Sequence, residues 1–188
     1  MGIMETTLKG TIRYLGTDFA GWQVQDHART VQGELEGALS RIASQTVKVQ
    51  GAGRTDSGVH ALGQVFSCVW PGAYPERLRH ALSKMLGPEI RVTSLEAVSS
   101  DFSARFSAVS KRYVYTLDLG READPLTSLF AWHVPYRLDL DLMEGLLPIL
   151  VGEHDFSGFQ STGTEMEKTV RTLFEVRLDR GGMVEALG

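Results

Sequence analysis

Residues 46–70 read TVKVQGAGRTDSGVHALGQVFSCVW. The stretch divides into three. TVKVQ at 46–50 is short and β-branched and is expected as a strand, and LGQVFSCVW at 62–70 reads as another. Between them, GAGRTDSGVHA at 51–61 sets three glycines around Arg54, Thr55 and Asp56. Glycine allows positive φ and close backbone approach, so such a loop can be tight and still admit a ligand. In extended backbone, residues two apart project the same way, which puts Arg54 and Asp56 on one side. A neighbouring guanidinium holds a carboxylate ionised. Taken as residues alone, the loop is equally a glycine-rich turn with a surface ion pair. A phosphate cradle fits poorly. There is no Gly-Lys-Ser/Thr, and Asp56 stands where the third glycine of G-x-G-x-x-G belongs, where it would repel a pyrophosphate.

Moving outward, TLKGTIRYLG at 7–16 places Leu8, Ile12 and Tyr14 at period two and predicts a strand. From Thr30, Val31, Leu35, Ala38, Leu39 and Ile42 share a helical face, with Thr30 as cap and Glu34 near the positive end. Pro75 fits the first turn of a second helix that carries Leu78, Ala81, Leu82 and Met85 and stops at Gly87-Pro88. IRVTSLEAV at 90–98 is a further strand. The order β-α-β-β-α-β is that of a ferredoxin-like unit: an antiparallel sheet with helices on one face and the other face open, as in RNA-recognition modules.

Past residue 105, SAVSKRYVYTLDL predicts a long strand with Tyr113, Tyr115, Leu117 and Leu119 on one face. FAWHV at 130–134 is expected as a strand. LDLMEGLLPIL at 140–150 is helical until Pro148. TVRTLFEVRL at 169–178 alternates, DRGG at 179–182 supplies a turn, and MVEALG begins a return strand. The expected class is therefore α+β, with two ferredoxin-like (RRM-like) units. The first spans 1–104 with its loop at 51–61. The second spans 105–188 and reads as incomplete at its C-terminus, because a strand that stops in mid-hairpin leaves an edge unpaired.

The chain has 188 residues, 43% hydrophobic and 22% charged, with a net charge of −4. That is an ordinary globular balance, with room for a sizeable core. The charge is uneven. The last third is strongly acidic, whereas 61–120 is net basic and holds the one tight basic cluster, Arg105, Lys111 and Arg112. Binding follows local potential rather than total charge, so the cluster is either an RNA contact or a solvated strand edge. No apolar run is long enough to span a bilayer, no secretory signal is seen, and Cys68 is alone, so a cytoplasmic protein is expected. The histidines show no metal spacing, and no metal is expected. His154-Asp155 has no visible third partner for acid–base work and reads as structural or substrate-lining. Cys68 reads as a packing residue.

GAGRTDSGVHA resembles the signature loop of the tRNA pseudouridine synthase A family. Three further stretches resemble that family in order: YLGTDFAGWQVQ (14–25) with TVQGELEGAL (30–39), DFSARFSAVSKRYVYTL (101–117) and HDFSGFQ (154–160). The resemblance implies isomerisation of uridine to pseudouridine in a tRNA anticodon stem-loop, without cofactor, by a homodimer. It implies Asp56 as the nucleophile, toward either the base or the ribose anomeric carbon, and Arg54 as the partner that helps hold the flipped-out position. It gives Tyr113 as the aromatic that stacks on the uracil, with Tyr115 on the same face as the fallback. Arg105, Lys111 and Arg112 would bind the tRNA backbone. On residues alone, either tyrosine is also a core aromatic of a half-buried strand. The family continues beyond the equivalent of Gly188 with a segment that carries a further active-site arginine. A tRNA-binding module without chemistry is therefore the alternative, and a small-anion site on an unrelated ferredoxin-like unit is a third.

Overall fold

The computed structural model describes residues 5–159 and 169–181. The chain forms two compact units that meet in sequence between Tyr113 and Val114.

The first unit contains β1 (Glu5–Tyr14), α1 (Val31–Ala43), β2 (Val49–Gly51), β3 (Ala61–Pro71), α2 (Leu78–Met85) and β4 (Ile90–Ala97). The strands form one antiparallel sheet in the order β2-β3-β1-β4. The mixed helical and antiparallel content is that of an α+β protein. Leu8, Ile12 and Tyr14 of β1, Phe66, Cys68 and Trp70 of β3, and Ile90, Val92 and Leu95 of β4 enter one core with Val31, Leu35 and Leu39 of α1 and Leu78 and Leu82 of α2. Val92 and Leu95 are three apart, yet both are buried. Between Thr11↔Ser94 and Ile12↔Val92 the register slips by one residue, and this bulge brings both side chains to the same face.

The helix ends follow local chemistry. Thr30 Oγ1 accepts from the Gly33 N–H at 3.2 Å, the cap expected from the sequence. Glu36 of α1 is buried, and its carboxylate accepts from the Val49 N–H (3.0 Å), Gln32 Nε2 (3.0 Å) and Lys48 Nζ (2.9 Å), which ties the helix to β2. Pro75 lies outside α2. Its carbonyl accepts from the Leu78 N–H at 2.9 Å in a turn that leads into the helix, which starts at Leu78. Gly87, with φ 69°, ends the following turn as expected.

The sheet face away from the helices is partly used by the chain itself. The Ala104 N–H donates to Ser67 Oγ at 3.1 Å, and both residues are buried. Ser103 Oγ donates to Gln50 Oε1 at 2.6 Å, and Lys9 Nζ lies 5.9 Å from the centre of the Phe102 ring. The long strand expected over 107–119 does not form; within it only Leu117–Asp118 is strand. The alternation is present, but Val109, Tyr113, Val114 and Tyr115 are all exposed, and no described strand pairs with 105–116. Alternation makes a strand only where a neighbour takes up its hydrogen bonds.

The second unit contains β5 (Leu117–Asp118), β6 (Trp132–His133), α3 (Leu140–Leu146), β7 (Gly152–Asp155) and β8 (Val170–Leu173). β5 pairs in parallel with β6, and β7 antiparallel with β8. α3 is capped by Asp139, whose Oδ1 accepts from the Leu142 N–H at 3.0 Å, and it passes into a 3-10 turn over Leu147–Leu150 where Pro148 removes a donor. The expected return strand at 183–188 lies outside the described residues. Among the described hydrophobic residues of this unit, Val134 alone is buried.

Candidate active site

The loop between β2 and β3 is fixed from below by two strands and from the side by residues 15–22. Its first backbone tie is the Ala52 N–H to the Val65 carbonyl at 2.8 Å. Gln64 Nε2 donates to the Gly53 carbonyl at 2.6 Å. The Trp22 N–H donates to the Thr55 carbonyl at 2.9 Å, and the Gly58 N–H to the Phe19 carbonyl at 3.3 Å. Ser57 Oγ donates to the same Phe19 carbonyl at 3.3 Å, and the Gly16 N–H donates to His60 Nδ1 at 2.9 Å. The Val59 N–H closes back on the Asp56 carbonyl at 3.2 Å.

Two glycines make this closeness possible. A β-carbon on Gly16 would stand 2.0 Å from the Val59 carbonyl oxygen. At Gly21, whose φ is +87°, it would stand 2.6 Å from the Thr55 carbonyl oxygen. Phe19 and Trp22 anchor the flanking segment in the core. Arg29 braces its far end. Its guanidinium lies 4.4 Å above the Phe19 ring and pairs with Glu34 (2.8 Å) and Glu89 (2.7 Å). The hydrogen bonds from Arg29 hold the Glu89 carboxyl below its ordinary range.

Against this fixed frame, Arg54 and Asp56 are exposed. No ion pair joins them, and neither side chain makes a hydrogen bond to another described residue. The expected Arg54–Asp56 bridge is therefore not formed here; both groups face solvent, where water competes for each charge. Behind them, the Tyr14 hydroxyl and Thr55 Oγ1 are 2.9 Å apart. Burial pushes the Tyr14 hydroxyl above its ordinary pKa, while hydrogen bonds with Thr55 and Gln64 pull it back in part.

The remaining sequence-derived residues separate. The Lys111 side chain lies across Gly53: a β-carbon there would stand 2.8 Å from Nζ. Arg105 lies with its guanidinium 5.4 Å from the Phe106 ring. Arg112 is exposed, and so is Tyr113, at 73%. Tyr115 belongs to the second unit and is 83% exposed there. In this structure neither tyrosine is a core aromatic. His154 and Asp155 do not act on each other. His154 Nε2 lies 3.2 Å from the Val151 carbonyl, and Asp155 Oδ1 accepts from the Ser157 N–H at 3.0 Å. Cys68 is buried, and desolvation pushes its thiol up to about 12, so it stays protonated and inert at neutral pH.

Tyr14, Thr55, Gln64, His60 and Trp22 carry the loop, and sequence reasoning assigned none of them a role in the site. The pair of glycines at 16 and 21, opposite a second glycine-rich loop, was the available signal. It shows that two backbones approach, but not which side chains meet.

A family model described as tRNA pseudouridine synthase matches residues 11–107. The chain is 45% identical over 172 residues to a tRNA pseudouridine synthase A of Lacticaseibacillus casei (strain BL23), a match that covers 90% of this chain and 70% of the relative. It is 46% identical over 175 residues to that of Streptococcus gordonii and 47% identical over 175 residues to that of Streptococcus pneumoniae serotype 19F. Each of these matches covers 92% of this chain and 70% of the relative. The family-model match reaches from β1 through the loop to the Ser103–Ala104 turn.

Proposed function

The chain belongs to the tRNA pseudouridine synthase family, an isomerase family, and from that premise we propose that Asp56 is the carboxylate through which it converts uridine to pseudouridine. In this conversion the bond from the ribose anomeric carbon to N1 of uracil breaks, the base turns, and a bond to C5 forms. C5 loses its hydrogen as a proton and N1 takes one up, so the reaction is balanced and redox-neutral. A carboxylate is a competent covalent nucleophile. The detached base has to stay oriented while it turns, which calls for a rigid site.

The observation that carries the reading is the contrast within the loop. The backbone on both sides of Asp56 is pinned, by Trp22 at the Thr55 carbonyl and by Phe19 at Ser57 and Gly58, while the Asp56 side chain is exposed and unpartnered among the described residues. Such a group is presented to a ligand rather than used to hold the fold. Arg54 shares the loop and would reach the nucleotide being flipped out. Lys111 adds a cation beside Gly53, the residue before Arg54, and Arg105 and Arg112 would contribute further contacts to tRNA phosphates. Tyr113, exposed, would supply the stacking face, with Tyr115 as the second choice. The substrate we propose is the anticodon stem-loop. The protein would act as a homodimer in the cytoplasm, two copies of the 105–112 cluster lining one groove, and would sediment as a dimer.

The test is release of tritium from tRNA that carries it at uridine C5. Asp56→Asn keeps the shape but removes the nucleophile. It should lower release by about 10³-fold or more while tRNA affinity stays within a few-fold, because phosphate contacts supply most of the affinity. Turnover near the unsubstituted rate would remove Asp56 from the chemistry.

A further inference from the structure

We propose that Tyr14 is a positioning residue for the reaction: its hydroxyl, through Thr55, fixes the direction in which Asp56 is presented. The proposal rests on Asp56 being the reacting carboxylate and adds how the fold aims it.

Tyr14 is the last residue of β1 and is 4% exposed. Its ring lies 6.4 Å from that of Trp22, tilted by 37°, inside the core. Leu8 and Ile12, the other large side chains on that face of β1, are aliphatic, and packing alone would be served by phenylalanine. The hydroxyl is the part that needs a reason, since a buried hydroxyl costs stability unless it is bonded. Its bond goes to Thr55 Oγ1, 2.9 Å away and forty-one residues on. Thr55 is the residue immediately before Asp56, and it is held twice: at the carbonyl by the Trp22 N–H and at the hydroxyl by Tyr14. A β-branched side chain has few χ1 choices, so fixing Oγ1 also restricts the backbone that carries it. Gln64 completes the frame. It faces Ile12 across β1 and β3, flanks the Tyr14 hydroxyl, and donates to the Gly53 carbonyl on the other side of Arg54. The dipeptide Arg54–Thr55 is thus suspended between two polar side chains that rise from the sheet. A carboxylate that must meet one carbon of a turning base gains from such a mount, because an error of about 1 Å costs on the order of 100-fold in rate.

The experiment measures the single-turnover rate of tritium release at saturating enzyme, the tRNA dissociation constant and the melting temperature, for Tyr14→Phe, Thr55→Val, Thr55→Ser and the double variant Tyr14→Phe/Thr55→Val. Asp56→Asn is run alongside. Tyr14→Phe should lower the rate by roughly 10- to 100-fold with affinity within twofold and the protein folded at the assay temperature. Thr55→Val should do the same, and Thr55→Ser, which restores the hydroxyl, should recover most of that loss. The double variant should be no slower than Thr55→Val, because the two groups act in series. An unchanged rate in Tyr14→Phe would overturn the proposal. So would additive losses in the double variant, or a loss that appears in affinity and melting alone. Should Asp56→Asn remain active, it is the assignment of the carboxylate that fails. A dead Asp56→Asn beside a fully active Tyr14→Phe leaves that assignment intact and removes only the positioning role.

Discussion

The two units use their apolar residues differently. In the first, Leu8, Ile12, Phe66, Leu35, Leu39 and Leu82 have no exposed surface at all. In the second, large apolar residues such as Leu126, Trp132, Tyr136, Ile149, Phe159 and Phe174 are open to solvent, and the described strands pair only two by two. A four-stranded sheet with two helices on one face encloses a volume, whereas isolated two-stranded pairs do not, and such pairs are marginal on their own. The difference bears on the candidate site. The loop that carries Asp56 is mounted on the unit with an interior, where Phe19 and Trp22 can be anchored and Tyr14 can be held behind it. Tyr115 stands on the unit in which, among the described hydrophobic residues, Val134 alone is buried.

Hydrogen exchange probes that contrast most strongly. Amides of β1 and β3 should be protected by a factor of about 10⁴ or more relative to those of β5, β6 and β8, since core strands open only with the whole unit. Equal protection in the two units, followed by mass spectrometry of the intact protein, would erase the distinction.

A matched pair of truncations comes next. Phe66→Ala should cost about 3–5 kcal/mol in denaturant unfolding, through lost burial and the cavity left behind. Phe174→Ala, at a residue 73% exposed, should cost less than about 0.5 kcal/mol. Similar losses at both would mean that the second unit has an interior in solution.

The link between interior and loop can be strained directly. Gly21→Ala places a β-carbon on a backbone with positive φ and against the Thr55 carbonyl. It should cost about 1–3 kcal/mol and slow tritium release together. Retained activity in a destabilised protein would uncouple the flanking segment from the chemistry.

The smallest effect belongs to Cys68. Cys68→Ala should lower stability by about 1 kcal/mol and leave turnover intact. Its pH dependence has a definite sign. The thiol ionises at about 12 in the fold against an ordinary 9.0, so the folded state holds its proton longer than the unfolded chain. This contribution is complete below pH 9 and is lost as pH rises from 9 toward 12. Urea midpoints of the two proteins should therefore converge over that range, and a constant gap would show that the thiol is not buried in solution.

Much of this was written in the sequence. The strand patterns at 7–16, 62–70 and 90–98, helical spacing after Thr30 and the cap itself are local properties, and each appeared where its pattern lay. Gly51-Ala52-Gly53-Arg54-Thr55-Asp56 announced a tight loop with a carboxylate in it, and its likeness to one enzyme family extended over most of the chain. The alternation at 107–119 misled, because periodicity reports which side chains share a face and not whether a neighbouring strand exists. Local pattern is likewise silent on register. The slip between Thr11 and Ile12, the pairing of Tyr14 with Ala61 and of Ile12 with Gln64, and the approach of Gly21 to Thr55 are choices made between segments far apart in the chain. The sequence by itself determined the sheet, its helices and the exposed carboxylate proposed for the chemistry. Tertiary structure alone decided that a tyrosine at the end of the first strand braces Thr55, the residue before Asp56, because a hydrogen bond across forty-one positions exists only once β1 has paired with β3 at the foot of the loop.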